Sequence, residues 1–393
     1  MNNCTVGFAR LDITPPLGVK MIGAGPRTVK GVLDPLYVNA VAFGEGEKAA
    51  VLLVCDLLGM YGKFAFEWPA KIAEAAGVDP DSVILCCTHT HTGPSPAADK
   101  EYFSWLFRRL CDAARMALDD RKPVTDLRWA EGMTKDTAFV RRYLTTDGRV
   151  VSHPKFGDPE IVGPVTEPDE TVRLVRILRE NAPEIALVNC QIHPDSVGGE
   201  YISGDYPNAL RDNLEKAYPN LRCVYLDGAQ GEMVSGSAMT PRVPKSHEKA
   251  IRIGTKLAGY VLPLFDKTQP ADMCGLRFGQ TSLELAATPE GEKGFDDDYP
   301  EVRPVLVSTI VFCGMALVGL PGEPFSAVGR AIRENSKYPV TCAMCQANGS
   351  HGYFPMEGDY AQPGNSYEPR VSHVQPGSAE RLITAANQLL NRI

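Results

Sequence analysis

The chain is 393 residues long, 44% hydrophobic and 22% charged, with a net charge of −8. This suits a soluble globular protein with enough chain for one large core or two closely packed lobes. The acidic balance excludes a nucleic-acid surface of the usual basic kind, because Arg108–Arg109 and Arg141–Arg142 are isolated pairs and not a stripe.

In chain order, apolar runs and helical periodicity predict strands over Thr5–Ala9, Val38–Phe43 and Ala50–Cys55, a helix over Lys63–Ala76 and a strand over Val83–Cys87. A helix over Glu101–Asp119 follows. Strands over Leu127–Glu131, Val172–Leu178 and Ile185–Ile192 come next, then a helix over Pro207–Tyr218 and a strand over Cys223–Leu226. Beyond a helix over Ser246–Phe265 and a strand over Gly275–Leu283, residues 287–298 read as a loop whose acidic triplet 296–298 is solvated. The stretch 305–320 is apolar but broken by Ser308, Thr309 and Gly314. It reads as two strands, Leu306–Phe312 and Ala316–Leu320, and not as a membrane span. A helix over Pro324–Asn335 carries Phe325, Val328 and Ile332 at helical spacing, with Pro324 in its first turn. A strand over Val340–Ala343 and a helix over Ala379–Asn391 complete the set. Alternating strands and helices predict an α/β fold with mixed β-sheets flanked by helices. Several strands, such as Ala50–Cys55, are continuously apolar, as expected where both faces of a sheet are covered.

The chain begins without a basic region followed by an apolar one, which argues against a signal peptide and for a cytoplasmic protein. Its eleven cysteines are then expected as reduced thiols, and the pair Cys342 and Cys345, inside an apolar strand, as core.

The chemistry concentrates at Thr88-His89-Thr90-His91-Thr92-Gly93-Pro94, directly after an apolar strand. On a regular strand only one of these two rings reaches a given spot unless the chain bends there. Three further candidates stand in the same context, where a strand runs out into Gly or Pro: His193, Glu323 and Tyr353. Two imidazoles, a carboxylate and an oxygen donor at strand ends fit Zn²⁺ with room for water or substrate. Satisfied loop histidines would give the same spacing, and the separations carry no local signature of their own.

Taken as an ordered set, however, the motifs resemble those of the neutral/alkaline, non-lysosomal ceramidase family, in its catalytic N-terminal domain. The set comprises Asp12-Ile13-Thr14 in the opening segment, Asp56-Leu57-Leu58-Gly59, the Thr-His-Thr-His segment at 88–94, and Arg141-Arg142-Tyr143. It continues with Ser203-Gly204-Asp205 after His193, Pro321-Gly322-Glu323, Asn348 to Tyr353, and Tyr367-Glu368. The resemblance covers nearly the whole chain. It implies a ceramidase-like catalytic domain over residues 1–393 and one zinc ion on His89, His193, Glu323 and Tyr353. It also implies that His91, Arg141 and Tyr367 approach the substrate amide. Asp195 or Asp205 would orient a ligand histidine from behind.

The departures from the family pattern are specific. Where the family has a Gly-Asp-x-Ser-Pro-Asn segment whose serine is the nucleophile, this chain has Gly231-Glu232-Met233-Val234-Ser235. Val234 occupies the serine position, and Ser235 falls one residue late, on the opposite side of an extended segment. The family's C-terminal immunoglobulin-like domain has no counterpart in this length. These features lead to the expectation of a zinc-dependent hydrolase cleaving an amide or ester bond in a small soluble substrate. Activated water would be the nucleophile, Glu232 or His91 the base, and Arg141 and Tyr367 would steady the oxyanion. A degenerate zinc-binding recognition protein and a true serine amidase are the competing expectations. No nucleic acid and no stable membrane association are expected.

Overall fold

Long apolar runs dictate the central strands of this protein, whose structure, a computed structural model, describes residues 3–23, 25, 27–94, 99–271, 273–289 and 302–393. The largest sheet takes β1 (Cys4–Asp12), β2 (Tyr37–Glu45), β3 (Lys48–Cys55), β4 (Val83–Cys87), β5 (Lys122–Met133), β6 (Thr171–Arg179), β7 (Glu184–Cys190) and β8 (Leu221–Asp227). They lie in the order β8-β7-β6-β5-β1-β2-β3-β4. The middle of the sheet is antiparallel, and each end closes with a parallel pair, β3 with β4 and β7 with β8. Parallel pairs need a crossover, and helices supply it. These are α1 (Lys63–Ala76) between β3 and β4, and α3 (Asp205–Ala217) between β7 and β8.

A second sheet, β9 (Leu276–Ala286), β10 (Val302–Phe312), β11 (Met315–Gly319) and β12 (Val340–Met344), ends in a third parallel pair, β11 with β12. Its crossover is α5 (Ser326–Glu334), which follows α4 (His247–Val261) in the chain. The two sheets face one another across a shared core in which Phe43 meets Phe312 with ring centroids 5.1 Å apart. Helix α1 and α2 (Lys100–Asp119) cover the outer face of one half of the large sheet, and α3 and α4 cover the other half. Helices α5 and α6 (Ser378–Arg392) cover the outer face of the second sheet. The outcome is helix, sheet, sheet, helix, as the burial of both faces of β4, β11 and β12 requires.

The large sheet curls, and residues 345–348 fill the gap between its ends. The Cys345 N–H donates to the Asp227 carbonyl at the end of β8. The Gln346 carbonyl accepts from Cys87 at the end of β4, and the Asn348 N–H donates to Leu85. Two parallel units far apart in strand order are thereby brought side by side.

Most expected elements recur with ends shifted by a few residues, and Lys63–Ala76 and Val83–Cys87 recur unchanged. Two helix boundaries differ for physical reasons, and one strand is shorter. The α5 helix starts at Ser326, because Pro324 lies in a two-residue strand, Glu323–Pro324, paired with Tyr353–Phe354, and Phe325 is still extended. The α4 helix gives way at Leu262 to a tighter 3₁₀ segment ending at Lys267, with Pro263 at its start. Strand β7 ends at Cys190, short of Ile192. The acidic triplet 296–298 lies outside the described residues. Cys342 and Cys345 are buried core thiols, as expected.

Beneath the converging ends lies a buried ion pair. Asp56, directly after β3, accepts from Arg211 of α3 at 3.0 Å and 2.6 Å, from the Tyr37 N–H at 2.9 Å and from the Thr88 hydroxyl at 3.2 Å. Both side chains are almost wholly excluded from solvent. Removing one partner leaves a buried charge uncompensated, at a cost of about 3–5 kcal/mol. Arg211→Met is therefore expected to lower unfolding free energy in urea by that amount. The double variant Asp56→Leu/Arg211→Leu is expected to lose clearly less.

Candidate functional site

Each parallel pair delivers site residues past the C-terminal end of its strands. His89 and His91 follow β4, His193 follows β7, Glu323 follows β11 and Tyr353 follows β12. The bend that the sequence required sits at His89, whose φ of 65° is in the left-handed region. With the chain turned there, both rings of the His-x-His pair reach His193 and neither is directed away. The Nε2 atoms of His89 and His91 lie 3.1 Å and 2.8 Å from His193 Nε2.

The surroundings fix the rings. The Leu58 carbonyl sits 2.6 Å from His89 Nδ1 and the Gly23 carbonyl 3.1 Å from His91 Nδ1. A carbonyl only accepts, so each Nδ1 carries the proton and each Nε2 presents a lone pair to the cluster. Burial depresses His91 to about 4 and pushes His193 well down, with the neighbouring imidazoles adding to both shifts. Burial acts the same way on His89, but the Glu323 carboxylate outweighs it and raises that ring.

Glu323 Oε2 lies 3.4 Å from His89 Nε2 and 3.9 Å from His193 Nδ1. That oxygen and that Nδ1 are both buried without a hydrogen-bond partner. The Glu323 oxygen, orphaned beside the facing Nε2 atoms of His89, His91 and His193, is a donor that a divalent cation would satisfy. The three histidines form a group that could hold a metal ion. Glu323 and Tyr353 are direct neighbours across their short parallel pair, so the carboxylate and the phenol arrive together. Tyr353 is half-buried, and burial around its hydroxyl, then the Glu323 charge, push that hydroxyl well up, opposed by Arg141.

Arg141 is 6% exposed and stands behind Tyr353, its guanidinium carbon 5.2 Å from the ring centroid. It donates to the Gly231 carbonyl at 2.6 Å and pairs with Glu368 at 2.6 Å. Gly231 has to be glycine, since a Cβ would come within 2.5 Å of the Glu323 carbonyl oxygen. Tyr367 is half-exposed, and its ring meets that of Tyr353 with centroids 5.9 Å apart. Arg142 secures the segment that carries Tyr367 and Glu368. It donates to Ser366 at 2.8 Å, to Asp359 at 2.7 Å and to Gln362.

Glu232 is placed differently from its expected role. Both its oxygens accept from the Ser326 N–H at 3.0 Å and one from the Ser326 hydroxyl at 2.5 Å, so it caps α5. Burial still raises its carboxyl to about 7, against those hydrogen bonds. Val234 pairs with Phe139 in a two-residue strand, and the Ser235 hydroxyl lies 3.3 Å from that of Ser196. Of the two expected orienting acids, Asp195 lies 3.6 Å from His91 Nδ1. Asp205 accepts from the Ser196, Val197 and Tyr206 N–H groups and so holds a loop.

Sequence reasoning left Glu368 without a role and overlooked Asp227. Asp227 is wholly buried behind the site at the end of β8 and accepts from Tyr225 and Cys345, each at 3.1 Å. Burial raises its carboxyl to about 8. A polar residue ending an apolar strand was the available signal.

No family model and no curated protein matches the chain. Among solved structures, it is similar to the neutral ceramidase from Pseudomonas aeruginosa, at a TM-score of 0.79 and 15% identity over 100% of this chain and 75% of that one. A structure of ceramidase complexed with C2 matches at the same TM-score and identity, over 76% of its length. The fold is therefore the mixed α/β fold of these ceramidase structures. No helix among the described residues is long and apolar enough to cross a membrane.

The donor set predicts tight uptake of one divalent ion per chain. Competition titration with a zinc chelator is expected to show affinity weakened at least a hundredfold by His193→Ala and by Glu323→Gln. Full occupancy in His193→Ala, by elemental analysis, would show that the ion is held elsewhere.

Proposed function

We propose that this protein is a zinc-dependent hydrolase that cleaves an amide, or ester, bond in a small soluble substrate, with residues 1–393 acting as one catalytic domain. The observation that carries the reading is the convergence of His89, His193 and the orphaned Glu323 carboxylate beside a buried Arg141, past the ends of three parallel pairs. The ceramidase fold of the structural neighbours supports it.

His89, His193, Glu323 and Tyr353 are the residues that would hold the ion, which supplies Lewis-acid polarisation of a carbonyl and lowers the pKa of water. His91 is neutral above about pH 4 and contacts the cluster through Nε2, so it can take the proton of an attacking water. Its Nδ1, against Gly23 and Asp195, keeps the ring oriented and steadies the charge it gains. Arg141, held by Glu368 and Gly231, supplies a fixed positive charge for the oxyanion. Tyr367, at the exposed edge beside Tyr353, can donate to the same oxygen or to the departing group. The base role falls to His91, since Glu232 is committed to Ser326.

With aliphatic Val234 at the family's nucleophile position and Ser235 turned to Ser196, no serine route is favoured. On a panel of short N-acyl amides and esters, Arg141→Ala is expected to lower turnover by about 10²-fold or more, on the scale of one oxyanion donor. Ser235→Ala is expected to stay within a few-fold of the parent. An acyl group trapped on Ser235 by mass spectrometry would replace this mechanism with that of a serine amidase.

The acid limb of the rate profile should follow His91. Its folded value lies below the ordinary one, so the neutral base persists as pH falls through 6.5 and is lost only near pH 4. A limb centred near 6.5 would assign the base elsewhere.

Ceramide in detergent micelles is expected to release no fatty acid with the purified chain. Robust release would make the substrate a lipid.

A further inference from the structure

Buried arginines in this protein generally have their nitrogens satisfied. Arg211 is bidentate on Asp56, and Arg142 uses all three nitrogens on Ser366, Asp359 and Gln362. Among the described residues, buried guanidinium nitrogens without a hydrogen-bond partner occur on four arginines only. Arg141, whose Nε instead forms the ion pair with Glu368, stands in the candidate site, and Arg27 donates to the His91 carbonyl at its edge. The other two, Arg173 and Arg333, lie elsewhere and line one cleft together.

That cleft has a volume of about 420 Å³ and lies between the ends of β5 and β6 and the outer side of α5. Arg173 of β6 is 5% exposed. Its Nη2 pairs with Glu131, its cross-strand neighbour on β5, at 2.8 Å, and its Nη1 is buried without a partner. Arg333 of α5 repeats the arrangement. Its Nη2 binds Asp169, and its Nη1 is buried without a partner. The two cations oppose one another: burial first, and then the charge of Arg173, lower the pKa of Arg333. Arg330, one turn earlier on α5, adds a third guanidinium to the lining.

A buried guanidinium N–H left unsatisfied is costly, and two from separate elements, held against mutual repulsion, point to an acceptor that belongs between them. The acids of the lining do not fill that place. Glu131 and Asp169 are already bound to the Nη2 atoms, and Glu170 accepts from the Thr137 N–H at 3.5 Å. Glu334 lies on the exposed end of α5.

We propose that the cleft between β5, β6 and α5 is a second binding site, taking the phosphate or carboxylate group of a small organic oxyanion on Arg173 and Arg333, with Arg330 at the rim. The volume leaves room for an organic part beside the anionic group. The planar forks of two arginines suit two oxygens of one group.

Isothermal titration of the full chain in chloride buffer tests this, with inorganic phosphate in one arm and acetate in the other. Saturable one-site binding is expected in at least one arm, and the arm that binds identifies the group. Arg173→Met and Arg333→Met are each expected to weaken it at least tenfold, the loss of one charge-assisted contact of about 1.4 kcal/mol or more. His193→Ala is expected to leave it unchanged, which separates this site from the metal cluster. Should either buried variant fail to fold, Arg330→Met touches no buried pair and is expected to weaken binding several-fold. No saturation by the parent chain in either arm overturns the proposal. So does full affinity in the arginine variants, or loss of binding in His193→Ala.

Discussion

One buried carboxylate ties the candidate site to the fold. Asp56 directly follows β3, accepts from the first residue of β2, receives the hydroxyl of Thr88 and pairs with Arg211 of α3. Its four contacts join three strand ends and the crossover helix of the opposite parallel pair. Thr88 precedes His89, and α3 begins twelve residues after His193. A charge pair outside the cluster thus links the segment that carries His89 to the helix that follows His193. Buried pairs are poor sources of net stability but strong sources of specificity when they select one arrangement.

The left-handed turn at His89 is the second constraint. A non-glycine residue in that region costs of order 1 kcal/mol or more, and such outliers persist where the surroundings over-determine them. Here the His89 N–H donates to the Leu57 carbonyl and the ring to the Leu58 carbonyl, so the conformation is enforced from both ends of the residue. The return is that two histidines two residues apart serve one cluster.

Most of the fold was legible because continuous apolar runs such as Ala50–Cys55 and Val83–Cys87, bounded by turn residues, read as covered strands. The candidate residues were legible through the company they keep: His193, Glu323 and Tyr353 each follow a strand and precede Gly or Pro or lie among them. The curl of the large sheet was not legible, since it depends on residues 345–348 hydrogen-bonding to strands more than a hundred positions away. Nor was the role of Glu232, whose partner Ser326 is ninety-four residues distant. For the same reason Pro324 read as the start of a helix. Its place in a two-residue strand is dictated by Tyr353–Phe354, which no local pattern announces. Charge pairing across such distances leaves no periodicity, so Glu368 showed only as a letter beside Tyr367.

The order in which the chain supplies its donors bears on how the protein is made. His89 and His193 leave the ribosome well before Glu323, and Tyr353 comes only after β12, because carboxylate and phenol meet through a pairing formed near the end of the sequence. A nascent chain that has folded its first sheet therefore exposes imidazoles without the acid that completes them. Assembly of the whole cluster is deferred to the last stage of synthesis. Truncation just before Tyr353 would remove Tyr353, Tyr367 and Glu368 together while leaving all of the first sheet's strands in the chain.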